Sequence, residues 1–243
     1  MSKSDVLTRK DMKEPDKFQQ AATQAASWIA ARRRRVVAIG AIAVAIVLVV
    51  AVASSLQARR SDQAGAAAAD LLAIVSGDVS AVPLPGMPGP FYKTEEEKQR
   101  AIVAAADRVL AEYRGTPAAA LAALSAGDAH LKLKEWDAAK AAYERFLSDA
   151  PRDDSLRFGA LEGIGLAEEG KGNLEAAAAA FDRFGREAPS FSDRADLDRA
   201  RVLAAAGKTA EAKELLAAFG EKHKESQLTA EAAERLARLG GAK

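Results

Sequence analysis

Hydrophobic and polar positions follow three different patterns along the chain. From Val36 to Leu56 the residues are apolar apart from Gly40, Ser54 and Ser55, and no charge stands between Arg35 and Arg59. A helix over this stretch spans roughly 31 Å at about 1.5 Å per residue, against a hydrocarbon thickness of about 30 Å. The pattern predicts one membrane-crossing helix, because a lone segment in lipid satisfies its backbone groups only as a helix. A buried core helix is the alternative. Just upstream, Phe18, Ala21, Ala22, Ala25, Trp28 and Ile29 recur at helical spacing. This predicts a short helix at the membrane surface, with Trp28 where an interfacial aromatic would sit.

Downstream the period stays helical. Leu56 to about Gly77 carries no breaker except Gly65, and predicts a juxtamembrane helix continuing the span. Val82 to Pro90 then holds four of the eight prolines, a density that favours an extended, semi-rigid spacer. Thr94 followed by Glu97 is a capping-box signature, and Ile102, Val103, Ala106, Val109, Leu110 and Tyr113 keep helical spacing until Gly115-Thr116-Pro117. The expected division is therefore a tail with a short amphipathic helix over 1–31 and a basic flank with membrane helix over 32–56. A juxtamembrane helix and linker follow over 57–93, then a helical domain over 94–243.

Composition sharpens this picture. The chain has 243 residues, no cysteine and 59 alanines, with only 5% aromatic residues, which favours an all-α protein with close helix contacts. The absence of cysteine excludes a disulfide scaffold, a thiolate metal site and a cysteine nucleophile. The net charge of +1 averages two unlike parts. Residues 1–60 hold 11 basic against 4 acidic residues, leaving 24 against 30 beyond, which does not suit nucleic acid. Arg32 to Arg35 abut one end of the apolar run, whereas Arg59 and Arg60 follow it with Asp62 close behind. The positive-inside rule therefore places the N-terminus in the cytoplasm. Cleavage after Ala51-Val52-Ala53 is the rival reading, opposed by the long N-terminal region and the length of the apolar run.

Pro117, Pro151 and Pro189 are separated by 34 and 38 residues, a spacing typical of helical repeats. Gly127, His130, Ala139, Tyr143 and Phe146 precede Pro151 at the same offsets at which Gly165, Glu168, Ala177, Phe181 and Phe184 precede Pro189. A third copy reads Ala200, Leu203, Ala212, Leu216 and Phe219, with Lys224 in place of the proline. Lys134-Glu135-Trp136, Lys171-Gly172-Asn173 and Ala206-Gly207-Lys208 are the expected mid-repeat turns. Leu228 to Leu239, opened by Thr229 as N-cap and carrying Ala232, Ala233, Leu236 and Leu239, predicts a terminal capping helix. Its Glu231, Glu234, Arg235 and Arg238 are expected to face water.

This pattern resembles the tetratricopeptide repeat, with three departures: phenylalanine at position 27, Glu168 at the aromatic position 11, and Arg199 at an apolar position of the third copy. A short tail, one membrane helix and a repeat domain of this size are together similar to the YfgM-type ancillary subunit family of the Sec translocon. The repeats also look like those of periplasmic cell-division and outer-membrane assembly proteins, although the lipoprotein cysteine of the last group is missing. The resemblance implies an α-solenoid of helix hairpins in the periplasm, anchored in the bacterial inner membrane and binding exported or envelope proteins.

Chemistry is sparse. Gly207-Lys208-Thr209 and Gly165 to Gly170-Lys171 are incomplete phosphate-loop patterns in a helical context and predict inter-helix turns. His130 and His223 are the two imidazoles, too few for a zinc site without help from carboxylates, and His130 occupies a packing position. Asp153 and Asp154 stand where a helix cap is expected, and no serine sits in a nucleophile elbow. Neither enzyme activity, a cofactor nor a metal is expected. An enzyme using Lys208 or Lys171 on phosphate is the weakest of three function classes.

The others are a peptide-binding scaffold and a bracing structural subunit. On the repeat register, a binding groove would be lined by Leu124, Asp128 and Leu131, by Glu162, Leu166 and Glu169, and by Leu197 and Arg201. Leucine mixed with acids would favour an amphipathic, weakly basic ligand. The alternative is that these faces only pack on neighbouring helices.

Overall fold

A computed structural model describes residues 17–80 and 89–241, and within them the chain is all-helical apart from one pair of two-residue strands. The elements are α1 (Lys17–Ala31), α2 (Arg33–Val75), β1 (Asp78–Val79), β2 (Phe91–Tyr92), α3 (Glu95–Glu112), α4 (Pro117–Lys132) and α5 (Trp136–Asp149). They continue with α6 (Arg157–Gly170), α7 (Leu174–Glu187), a short 3-10 turn (Pro189–Phe191), α8 (Ser192–Ala205), α9 (Thr209–Lys222) and α10 (Thr229–Gly241). The expected proline spacer falls largely on 81–88, outside the described residues. The chain forms two compact units, 1–59 and 60–243.

In the first unit, α1 and α2 meet at Arg32, whose N–H still reaches the Trp28 carbonyl at 3.2 Å. Every described residue from Val37 to Leu56 is exposed, Val49 by 67%. Within its own unit no part of this apolar surface is buried. Among the described residues this is one helix long and apolar enough to cross a membrane.

The second unit is a run of helix hairpins in which each helix from α3 to α10 packs on the next and α4 also touches α6. It begins earlier than the expected boundary at 94. Ala64, Ala68 and Leu71 are buried in one cluster with Ile102, Ala106 and Val109 of α3 and Ala118 and Ala122 of α4. The guanidinium of Arg60 donates to the carbonyls of Glu112 and Arg114, each at 3.4 Å. Residues 60–75 thus supply the first helix of the hairpin that α3 completes, and parallel pairing of β1 with β2 closes it, Asp78 opposite Phe91.

Local signals set the boundaries. The Thr94 hydroxyl accepts from Glu97 N–H at 3.1 Å, and the Glu97 carboxylate accepts from Lys93 N–H at 2.9 Å, one residue upstream of the usual box partner. Thr116 caps α4 with Pro117 in its first turn, so the triplet that ends α3 also starts the next helix. The three mid-repeat turns share one geometry. Lys134, Gly172 and Gly207 have φ of 59°, 86° and 78°. The next N–H in each case reaches back to His130, Glu168 or Leu203 at 2.9 Å, the long bond of a Schellman motif.

Tyr143, Phe146, Phe181, Phe184 and Phe219 are each at most 1% exposed and fill the space between hairpins. Phe146, Phe184 and Phe219, at matching offsets in the three copies, are thus core residues. The terminal helix departs from expectation. Thr229 lies inside α10, and it is Ser226 whose hydroxyl accepts from Leu228 N–H at 3.0 Å while donating to Asp193 at 2.6 Å. Ala233 is exposed and Arg235 half-buried, the reverse of their expected placement.

Candidate binding face

The residues expected to line a groove lie on α4, α6 and α8, and packing claims much of their surface. Leu124 and Leu131 are half-buried against the cluster that holds Tyr143, Phe146 and Ile164. Leu166 leans on the cluster of Phe181, Phe184 and Leu203. Leu197 is only 5% exposed, enclosed with Leu216, Phe219 and Ala232. It is therefore core rather than groove lining, because α10 covers the end of the third hairpin.

The acidic members are also engaged. Glu162 of α6 pairs with Arg194 of α8, and Glu169 of α6 pairs with Arg201 of α8, two bridges spanning adjacent hairpins. Arg201 further contacts Asp198 at 3.0 Å and lies 6.0 Å from the centre of the Phe181 ring. Burial alone would lower the pKa of Arg201, but hydrogen bonds to Asp198 and Glu169 outweigh it and raise the value. The hydrogen bond that Arg194 donates to Glu162 raises the Arg194 pKa likewise. Two of the three acids expected along this face are thus paired with arginines one hairpin further on.

Asp128 is different. It is exposed, accepts the Tyr143 hydroxyl at 2.7 Å and, among the described residues, is not held in an ion pair. The protein crowded around it raises its pKa, against the Tyr143 hydrogen bond and the charge of Lys132, which lower it. Burial likewise pushes the Tyr143 phenol well up, helped by the adjacent Asp128 charge.

Sequence reasoning missed the far end of this face. A cavity of about 320 Å³ is walled by Ala200, Ala204, Leu216 and Leu239, with Arg201, Arg235 and Arg238 around it. Arg235 donates to the carbonyl of Leu197 at 3.2 Å and to Glu231 at 2.5 Å. Its place between Ala232 and Leu239 on the buried side of α10 was the available signal. The face thus runs from the lone carboxylate of Asp128, across two bridged pairs, to an apolar cavity edged by arginines.

Other polar clusters serve the turns. Glu168 at position 11 is 7% exposed, takes Lys140 at 2.6 Å and accepts from Asn173 at 3.0 Å. At the equivalent place His130 Nδ1 meets Glu135 at 2.7 Å, so both hairpins carry a hydrogen-bonded pair five residues apart. Arg199 is likewise held by Asp182 at 2.5 Å. Lys171 and Lys208, the lysines of the incomplete phosphate loops, lie in or beside inter-helix turns and pair with Asp137 and Glu175 of the preceding hairpin. Asp154 accepts from Leu156 N–H at 2.8 Å in the turn that leads into α6, whose N-cap is Leu156 with no side-chain cap bond. Among the described residues no group of three His, Asp or Glu could hold a metal ion. The arrangement is equipped for noncovalent contact, with apolar patches and fixed charges.

No known protein-family model matches the chain. No curated protein matches it either.

Proposed function

We propose that this protein is a membrane-anchored scaffold of the tetratricopeptide type, its hairpins forming a short α-solenoid that binds exported or envelope proteins near the Sec translocon. In this reading Val36–Leu56 crosses the bacterial inner membrane once, residues 1–35 are cytoplasmic, and the hairpins lie in the periplasm. The observation that carries it is the pairing of a fully exposed apolar helix with consecutive helix hairpins that place Asp128, Glu162, Glu169 and Arg201 on neighbouring first helices. A tether of this kind raises effective concentration at the membrane, so weak contacts suffice for capture.

The test is site-specific photocrosslinking in intact cells. A photoreactive side chain at Asp128 or Ala204 should crosslink to envelope proteins, whereas one at the exposed Glu144 or Glu214 on the second helices should not. Mass spectrometry of the adducts then asks whether translocon subunits are among them.

A second reading, a bracing subunit of another envelope complex, is favoured by the Glu162–Arg194 and Glu169–Arg201 bridges, which already occupy side chains that a ligand would use. It gives crosslinks from the second helices and none from Asp128 or Ala204.

A further inference from the structure

Arg32, Arg33, Arg34 and Arg35 stand consecutively where α1 gives way to α2, and all four are exposed. Arg33, Arg34 and Arg35 open α2 at about 100° of rotation per residue, so their side chains fan around the helix start instead of forming a stripe, with Arg32 at the junction before them. Neither α1 nor the first turn of α2 contains an acidic residue. The first acid along α2 is Asp62, 27 residues beyond Arg35 in the chain (62 − 35). These charges therefore lack compensation within their own helices. One turn earlier Trp28 is 55% exposed, and the Arg32 guanidinium lies 4.9 Å from its ring centre.

Each part has a preferred partner at a lipid surface. An indole settles at headgroup depth, with its apolar body toward the chains and its N–H toward water. A guanidinium forks onto phosphate oxygens, and four basic residues beside a membrane span attract anionic lipid. We infer that Trp28 and Arg32–Arg35 form a collar that selects anionic phospholipids around the membrane helix by their phosphodiester groups. This rests on the reading of Val36–Leu56 as a membrane span.

The experiment uses the full chain carrying Trp136→Phe, so that Trp28 is its one indole, in phosphatidylcholine vesicles. A minor fraction of either brominated phosphatidylglycerol or brominated phosphatidylcholine serves as quencher. The collar predicts quenching enriched about threefold for the anionic lipid, a preference that falls at about 0.5 M salt. It should vanish when Arg32, Arg33, Arg34 and Arg35 are all replaced by Gln, and persist in Arg59→Gln. Equal quenching by the two lipids in the parent chain overturns the collar while leaving the span in place. Quenching by neither lipid overturns the span and the collar together. Loss of the preference on adding inorganic phosphate, but not sodium chloride of equal ionic strength, assigns the arginines to a free anion and overturns lipid selection.

Discussion

The ring of Tyr143 lies where a side chain on Gly163 would have to go: a Cβ there would stand 2.4 Å from the ring carbons. On its other side a Cβ on Gly127 would come within 2.6 Å. The aromatic is thus clasped between the backbones of α4 and α6, which lets three helices approach at alanine distances. The same trade recurs between Gly165 and Phe181. In the third copy Ala200 faces the smaller Leu216 in a shared cluster. Gly163→Ala should cost about 1–3 kcal/mol through overpacking. Adding Tyr143→Leu should recover part of that loss, so the two changes will be non-additive in a denaturant-melt cycle. Additive losses would mean that the ring and the glycine are not in contact.

Lys134 occupies the left-handed turn position that Gly172 and Gly207 fill in the later hairpins, with φ of 59°. An L-residue there carries a steric penalty of about 1 kcal/mol that glycine escapes, partly offset by the entropy glycine retains when unfolded. Lys134→Gly should therefore raise stability by about 0.5–1 kcal/mol, seen as a melting shift of about 2–3 °C for a domain of this size. An unchanged or lowered melting temperature would contradict the assigned turn.

Helices and caps such as that of Thr94 with Glu97 were legible in the sequence because they depend on residues within one turn of one another, and the repeat was legible because its glycines and aromatics recur at fixed offsets. What was not legible depends on contacts between elements. Leu71 and Leu72 are equally apolar, and only the approach of α3 buries the first at 0% while leaving the second 46% exposed. Glu162 and Glu169 read as free acids until α8 brings Arg194 and Arg201 beside them. Leu197 kept the register of a groove residue, yet α10 seals it. The residues expected to line the face lie on α4, α6 and α8, but the ion pairs that join those helices could not be inferred from one repeat at a time.

Hydrogen bonds from Lys140 and then Asn173 hold the Glu168 carboxyl below the ordinary glutamate range, and the same carboxylate raises Lys140. A depressed folded pKa gives stability that is present above the unfolded value and lost as pH falls through the folded one. The raised lysine gives stability that is lost as pH rises through its folded value. Lys140→Ala should cost about 1–2 kcal/mol near neutrality, since it strands a buried carboxylate with one neutral donor. The gap to the parent should close in acid once Glu168 is protonated. A gap that is constant with pH would assign the loss to packing.

Asp128 has the opposite sign. Crowding raises its carboxyl pKa, so its favourable contribution is complete below the unfolded aspartate value and is lost as pH rises through the folded one. Asp128→Asn keeps an acceptor for the Tyr143 hydroxyl and removes the charge. Near neutral pH it should leave stability unchanged or raise it by up to about 1 kcal/mol, and the parent should catch up in acid. Chemical denaturation of both proteins across the acid range measures this. A variant clearly weaker than the parent at neutral pH would show that the ionised carboxylate is needed where it stands.

Leu71 decides where the helical-hairpin unit begins. It is fully buried on α2, and with Ala64 and Ala68 it covers Ile102, Ala106 and Val109, the apolar side that α3 would otherwise turn to water. Truncating a leucine in such a place removes its transfer energy and leaves a cavity, a loss of about 2–5 kcal/mol. Leu72→Ala, one position on but half-exposed, should cost well under about 1 kcal/mol. The same geometry distinguishes two fragments. Residues 60–243 should melt in one cooperative transition, whereas 94–243 should lose protection from amide exchange in α3 first, because its buried side has lost its partner. Equal effects of Leu71→Ala and Leu72→Ala, or equal protection of α3 in the two fragments, would return residues 60–75 to the status of a bare connector.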